Sequence, residues 1–228
     1  MTRESYSAAD LAAFIDHTLL KPEAQADDIN RICDEALEHQ FAAVCVNSRW
    51  IGHVSSRLGA SAVKPCCVVG FPLGASLPAS VAAEARDAIA VGAQEIDMVL
   101  SVGDALGGDW HAVEAGIVTV KNACGATPLK VILETSLLNQ DQKRRACEVC
   151  RKVGVAFVKT STGFSTVGAT ADDVRLMRAV VGPQMGVKAS GGIRDRATAL
   201  EMIEAGATRL GCSAGVAIVT GGTGTDSY

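Results

Sequence analysis

Hydrophobic positions along the chain follow two periods that alternate with each other. Between residues 27 and 38, Ile29, Ile32, Cys33, Ala36 and Leu37 recur at helical spacing and mark one face of an amphipathic helix. Val81, Ala82, Ala85, Ala88 and Ile89 repeat that pattern further on. Between such stretches lie short apolar runs at 41–46, 66–69, 95–100, 129–134, 155–159, 186–190 and 208–212, each bounded by turn residues. Runs of this kind suit strands buried on both faces. A first, polar-interrupted run at 15–20 follows a short amphipathic segment for which Ser7 is the natural N-cap. Further helices are predicted over 48–58, 104–124, 141–153, 171–181 and 195–205.

Three of the helix-to-strand junctions repeat. Val91-Gly92-Ala93, Val153-Gly154-Val155 and Ala205-Gly206-Ala207 each place a glycine where a helix closes before a strand begins. Five residues beyond those glycines stand Asp97, Lys159 and Gly211, near the ends of the strands. Strands centred near residues 16, 43, 67, 97, 131, 157, 188 and 210, separated by helices and without a linker, predict one α/β domain. The expected architecture is a single-domain (β/α)8 TIM barrel with a short N-terminal helix, spanning 1–220. The Gly-rich residues 221–228 are expected to form a flexible tail. A doubly wound open sheet is the alternative, but the first strand-to-helix turn carries no GxGxxG.

Composition narrows the function. The 228 residues suffice for one large core, and 48% are apolar while only 4% are aromatic, so Ala, Val, Ile and Leu must fill it. A net charge of −4 without a basic run argues against nucleic-acid or membrane-surface binding. No apolar stretch has the length of a membrane span, and the opening MTRESYSAADL lacks a signal core, so a cytoplasmic protein is expected. The eight cysteines are scattered through helical and strand patterns, and Cys147-Glu-Val-Cys150 has no second CxxC or clustered His. They are read as reduced packing residues.

Charged groups stand inside three of the apolar strand patterns: Asp97 in EIDMVL, Lys159 in AFVKTS and Lys188 in GVKASGG. In a barrel the carboxyl ends of all strands meet on one face, where active sites sit. Two lysines converging there disfavour each other's protonation, and desolvation acts in the same direction. A neutral amine so produced is what Schiff-base chemistry requires, with Asp97 able to move protons through water. A second constellation follows the last two strands. Ser190-Gly191-Gly192-Ile-Arg194 and Gly211-Cys-Ser213-Ala-Gly215 form glycine-rich loops where barrels commonly hold phosphate, and Thr162-Gly163 adjoins them.

These segments resemble the deoxyribose-phosphate aldolase family. The resemblance covers nearly the whole chain, through IDHTLLKP at 15–22, VCVNSRW at 44–50, VVGFPLGA at 68–75, EIDMV at 95–99, VILETSLL at 131–138, VKTSTGF at 158–164, VKASGGIR at 187–194 and RLGCSAGV at 209–216. It implies a class I aldolase on a (β/α)8 barrel that reversibly cleaves 2-deoxy-D-ribose 5-phosphate to acetaldehyde and D-glyceraldehyde 3-phosphate. The family's Schiff-base lysine matches Lys159, its second lysine Lys188 and its proton-relay aspartate Asp97. Its phosphate contacts match Gly163, Gly191, Gly192, Gly211 and Ser213, and its first-strand aspartate and threonine match Asp16 and Thr18. The chain departs from the pattern at Ala214, where members often have a second serine, and in the Cys66-Cys67 doublet and Cys212, which read as packing changes. Some members end in a tyrosine that reaches the site, a role open to Tyr228.

An iminium stabilises the carbanion that a metal would otherwise stabilise, so no metal or other cofactor is expected. His17 and His53 have no partner in the sequence pattern to complete a metal site. The expected partners are small phosphorylated sugars and aldehydes, with a homodimer one assembly open to the chain. Two competing readings remain: another phosphosugar or Schiff-base barrel enzyme, and a barrel that only binds phosphometabolites.

Overall fold

The computed structural model describes residues 6–224. Eight parallel strands, β1 (Ile15–Leu19), β2 (Ala43–Asn47), β3 (Lys64–Val69), β4 (Glu95–Val99), β5 (Leu129–Ile132), β6 (Phe157–Lys159), β7 (Gly186–Ser190) and β8 (Arg209–Cys212), close into a barrel in sequence order. Closure is made by β1 against β8, where Asp16 pairs with Gly211. Every strand lies where the alternation places it. The helices are α1 (Ala8–Ala12), α2 (Ala26–His39), α3 (Ile51–Leu58), α4 (Pro78–Ala90), α5 (Val102–Gly107), α6 (Trp110–Cys124), α7 (Gln140–Val153), α8 (Ala171–Val181), α9 (Arg196–Glu204) and α10 (Gly215–Thr220). No helix among the described residues is long and apolar enough to cross a membrane.

Local chemistry sets the element ends. Ser7 and Asp10 form a reciprocal capping box that starts α1. The three glycine junctions are built alike: Gly92, Gly154 and Gly206 all have positive φ, of 115°, 75° and 114°. The next residue's N–H then reaches back to the helix, from Ala93 to Ala88 O, Val155 to Cys150 O and Ala207 to Met202 O. This six-to-one bond is the Schellman closure, and it precedes β4, β6 and β8 alike. The single helix predicted over 104–124 is instead two. Gly108 takes a left-handed φ of 79°, and the Asp109 side chain accepts from Ala112 N to open α6, so turn and cap chemistry outweigh the continuous helical period.

Two cores result from strand alternation. Outward residues such as Val44, Val46, Ile96, Met98, Val131, Val158, Val187 and Leu210 join the helices' apolar faces in one continuous core. The barrel interior divides. On the β2–β3 side Leu20, Ala43, Cys45, Cys66 and Val68 make a small apolar cluster, while the β4–β8 side is filled by charge. At the floor, Gly186 leaves room for the Phe157 ring, which a Cβ there would meet at 2.1 Å, and the Arg209 guanidinium stacks 5.3 Å from that ring's centre. After α10 the chain returns to the barrel: Thr223 pairs with Asp195, and Gly224 N donates to Arg194 O. Tyr228 lies outside the described residues.

Candidate active site

The charged interior follows from the phase of the strands. In β4 the apolar Ile96 and Met98 face the helices, which turns Glu95 and Asp97 inward. The same alternation turns Lys130 inward from β5, Lys159 from β6, Lys188 from β7, Arg209 from β8 and Asp16 from β1. Asp16, Asp97, Lys130 and Lys188 are fully buried, and Lys159 is 2% exposed.

Asp97 is the hub. Its Oδ1 accepts from Lys130 Nζ at 2.6 Å, and its Oδ2 accepts from both Lys188 Nζ at 2.7 Å and Lys159 Nζ at 2.9 Å. Lys188 also donates to Asp16 Oδ2, and Arg209 bridges Asp16 Oδ1 at 2.7 Å and Glu95 Oε2 at 3.0 Å. Lys130 is held in addition by Glu95 at 2.7 Å. The connected set contains four cations, Lys130, Lys159, Lys188 and Arg209, and three carboxylates, Asp16, Glu95 and Asp97. One positive charge is therefore in excess. Lys159 has one carboxylate contact and shares that oxygen, so loss of its proton leaves no carboxylate unpaired.

Burial alone would raise both aspartates, but Lys188, Arg209 and Lys130 hold Asp16 below the usual carboxylate range, and Lys130, Lys159 and Lys188 hold Asp97 well below it. Burial alone would lower Lys188, yet Asp16 and Asp97 outweigh it and raise its pKa well above the ordinary lysine value. This corrects the expectation that the two lysines depress each other. For Lys188 the facing carboxylates dominate, and it remains an ammonium at neutral pH.

Stability should follow these charges. A carboxylate whose folded pKa is depressed contributes stability above its unfolded pKa of about 4, and that contribution is lost as pH falls through the folded value. Urea midpoints of the wild type are expected to be flat from pH 7 to about 5 and to fall steeply below pH 4, by this linkage. The Asp16→Asn variant should be less stable at pH 7 and show a shallower acid fall. Parallel curves for the two proteins would contradict the assignment.

The loops after β6 and β7 are fastened together above the lysines. Thr160 Oγ1 accepts from Ser190 N at 3.0 Å, Ser190 Oγ donates to Ser161 O at 2.6 Å, and the Thr162 hydroxyl donates to Glu134. Gly163, Gly191 and Gly192 all have positive φ, at 89°, 88° and 78°. A Cβ on Gly191 would crowd Gly168 Cα at 3.0 Å and would touch Gly163 Cα at 3.7 Å. A Cβ on Gly168 would strike Gly191 O at 2.1 Å, and Ala169 N donates to that same oxygen. Gly211 sits on β8 as the partner of Asp16 and Ser190. Ser213 joins Thr18 in lining a cleft of about 300 Å³ that Lys21 and Arg31 also line. Thr18 Oγ1 donates to Asp16 O at 2.7 Å. The structure thus brings Asp16, Asp97, Lys159 and Lys188 into direct contact, sets Gly163 against Gly191, and places Thr18 and Ser213 on one cleft.

Sequence reasoning missed Lys130, Glu95, Arg209 and Glu134. For the first three the signal was available: each is an inward position in a strand whose alternate residues are apolar. Glu134 could not be read, because its role depends on a left-handed φ of 54° that turns it toward Thr162. Cys45, Cys66 and Asp97 also have donor atoms close enough to share a cation, as do Asp16, Cys66 and Glu95. In both groups Lys130 Nζ already neutralises the donors, 3.2 Å from Cys66 Sγ and 2.6 Å from Asp97 Oδ1, so a further cation would meet an ammonium.

Comparison with known proteins matches the barrel that carries this charged interior to aldolases. The DeoC/LacD family aldolase model matches residues 11–221. A Coccidioides immitis structure with the provisional name deoxyribose-phosphate aldolase shares 38% identity, covering 94% of this chain and 86% of its own, with a TM-score of 0.92. A protein described as QR15, an aldolase, shares 38% identity over 92% of this chain and 95% of its own, with a TM-score of 0.89. The deoxyribose phosphate aldolase from Aeropyrum pernix, whose structure is tetrameric, shares 32% identity over 94% and 91%, with a TM-score of 0.85. With the family model matching nearly the whole barrel and these relatives superposing on it, the chain belongs to the DeoC/LacD aldolase family and is a carbon–carbon lyase.

Proposed function

We propose that the protein is a class I aldolase that reversibly cleaves 2-deoxy-D-ribose 5-phosphate to acetaldehyde and D-glyceraldehyde 3-phosphate, with Lys159 as the Schiff-base residue. The observation that carries this is the pairing of Lys159. Its Nζ, at the carboxyl end of β6, has one shared carboxylate oxygen as counter-charge. As a free amine it attacks C1 of the open-chain sugar. Lys188 shares Asp97 Oδ2 with it. As an ammonium, Lys188 is also the proton donor for loss of water from the carbinolamine. Asp97, kept ionised, relays protons with a water molecule. The iminium withdraws electrons from the C2–C3 bond, since acetaldehyde carries C1 and C2. Glyceraldehyde 3-phosphate leaves, and the enamine is protonated and hydrolysed.

The phosphate is assigned to the backbone N–H groups at Gly163, Gly191, Gly192 and Gly211 and to Ser213. Asp16 and Thr18 are assigned to the sugar end. Lys21, lining the same cleft as Ser213, supplies a positive charge that the sequence pattern did not disclose. With Ala214 in place of a second hydroxyl, the loops' backbone donors do most of the binding. Gly168→Ala would push the Gly191 carbonyl away and is expected to raise KM for the phosphorylated sugar about tenfold with little change in kcat. An unchanged KM would separate Gly191 from the phosphate site.

Steady-state cleavage tests the reading. Turnover of 2-deoxyribose 5-phosphate should exceed that of fructose 1,6-bisphosphate and of unphosphorylated 2-deoxyribose by a factor of at least about 100, the scale of a lost charged contact. Preference for a ketose phosphate would move the protein to another aldolase specificity. Assembly as a homodimer remains the proposed state, with a tetramer like that of the Aeropyrum pernix relative as the other outcome of a sedimentation measurement.

A further inference from the structure

All eight cysteines are buried and unbridged. Burial pushes the Cys33 and Cys124 thiols up to about 11 and those of Cys147 and Cys212 up to about 12. It raises Cys66, Cys67 and Cys150 as well. Cys45 goes the other way. The adjoining Cys66 thiol lowers its pKa against burial, and the Lys188 and Lys159 charges add to that. Geometry singles out the same pair. Cys45 and Cys66 are direct partners across β2 and β3, and both face the barrel interior. Partner Cα atoms on adjacent strands lie about 4.8 Å apart, inside the disulfide range of roughly 4.4–6.8 Å. The two Sγ atoms lie within 4.8 Å of each other and of an Asp97 carboxylate oxygen. Cys67, one residue on, faces the helices instead.

We propose that Cys45 and Cys66 form a dithiol that hydrogen peroxide oxidises to a disulfide inside the barrel, beside Asp97. The Cys45 thiolate attacks one peroxide oxygen, the O–O bond breaks, and the departing hydroxide is protonated to water. Cys45 is then a sulfenic acid. The Cys66 sulfur attacks it, the S–O bond breaks, and the released hydroxide takes the Cys66 proton. In sum, two thiols and one peroxide give a disulfide and two waters, the peroxide being reduced by two electrons. The bond matters to catalysis because Cys66 Sγ–H donates to Asp97 Oδ1 at 3.2 Å in the reduced protein. Drawing the sulfurs together removes that donor and reorients the carboxylate that holds Lys159 and Lys188.

The test uses the full chain, treated with hydrogen peroxide, alkylated and digested without reduction. The expected product is a peptide pair joined through Cys45 and Cys66. Cleavage activity is expected to fall at least fivefold and to return on adding dithiothreitol. Cys66→Ser and Cys66→Ala, each compared with its own untreated sample, should keep their activity under the same peroxide. The activity arm rests on the aldolase reading, whereas the peptide arm does not. Failure of the aldolase reading would therefore show as an inactive untreated protein that still forms the link. Full alkylation of both thiols after peroxide, or a bond between other cysteines, would overturn the proposal. So would equal inactivation of the Cys66 variants.

Discussion

Lys159→Leu is expected to lose at least about 10⁴-fold in cleavage, the scale set by removal of a covalent nucleophile, while the barrel stays folded. The second half of that expectation comes from the charge pairing. Asp97 keeps Lys130 at 2.6 Å and Lys188 at 2.7 Å when Lys159 is gone, so no buried carboxylate is stranded. The interior then has three cations against three carboxylates, a neutral balance. Urea denaturation and circular dichroism should accordingly match the wild type within about 1 kcal/mol, typical of a substitution that leaves buried partners satisfied. Retained cleavage would remove Lys159 from the mechanism. A collapse of the fold would show that its ammonium is structural.

The opposite split is expected at Lys130. Its ammonium is fully buried and lies within 2.7 Å of both Asp97 and Glu95. Lys130→Met keeps the volume but removes the charge, leaving Lys188 and Arg209 against three carboxylates wherever Lys159 is neutral. Loss of one partner from a buried pair costs about 3–5 kcal/mol, and the lower end applies here because Asp97 and Glu95 retain other cations. A midpoint shift in urea of that size is expected. Adding Glu95→Gln should restore part of it, since the two changes touch one contact. A Lys130→Met protein as stable as the wild type would mean that the interior charges are screened by water rather than by one another.

The architecture was legible because it is written in local periods. Strand alternation, helical spacing and three glycine closures of one type recur along the chain, and each refers only to neighbours in sequence. The helix over 104–124 was misjudged where two local signals competed, a continuing helical period against Gly108 and the Asp109 cap. Asp97, Lys159 and Lys188 were legible as charges within apolar runs near strand ends. Lys130 and Arg209 obey the same rule but stand nearer the strand starts, where the search did not look. That Asp97 and Asp16 both pair with Lys188 and hold it charged was not legible. Asp16 and Arg209 meet across the closure of the barrel, 193 positions apart, and only that closure shows that Lys188 is pinned as a cation. The Cys66-Cys67 doublet likewise looked like packing until register set Cys45 opposite Cys66.

Borohydride reduction in the presence of acetaldehyde, followed by peptide mass spectrometry, tests the central claim most directly. It reads the imine itself and needs neither a phosphate site nor a correct choice of sugar. The account predicts an N-ethyl group on Lys159 and on no other lysine, formed only when aldehyde and borohydride are both present. Ethylation of Lys188 in its place, or no site-specific adduct, would contradict it.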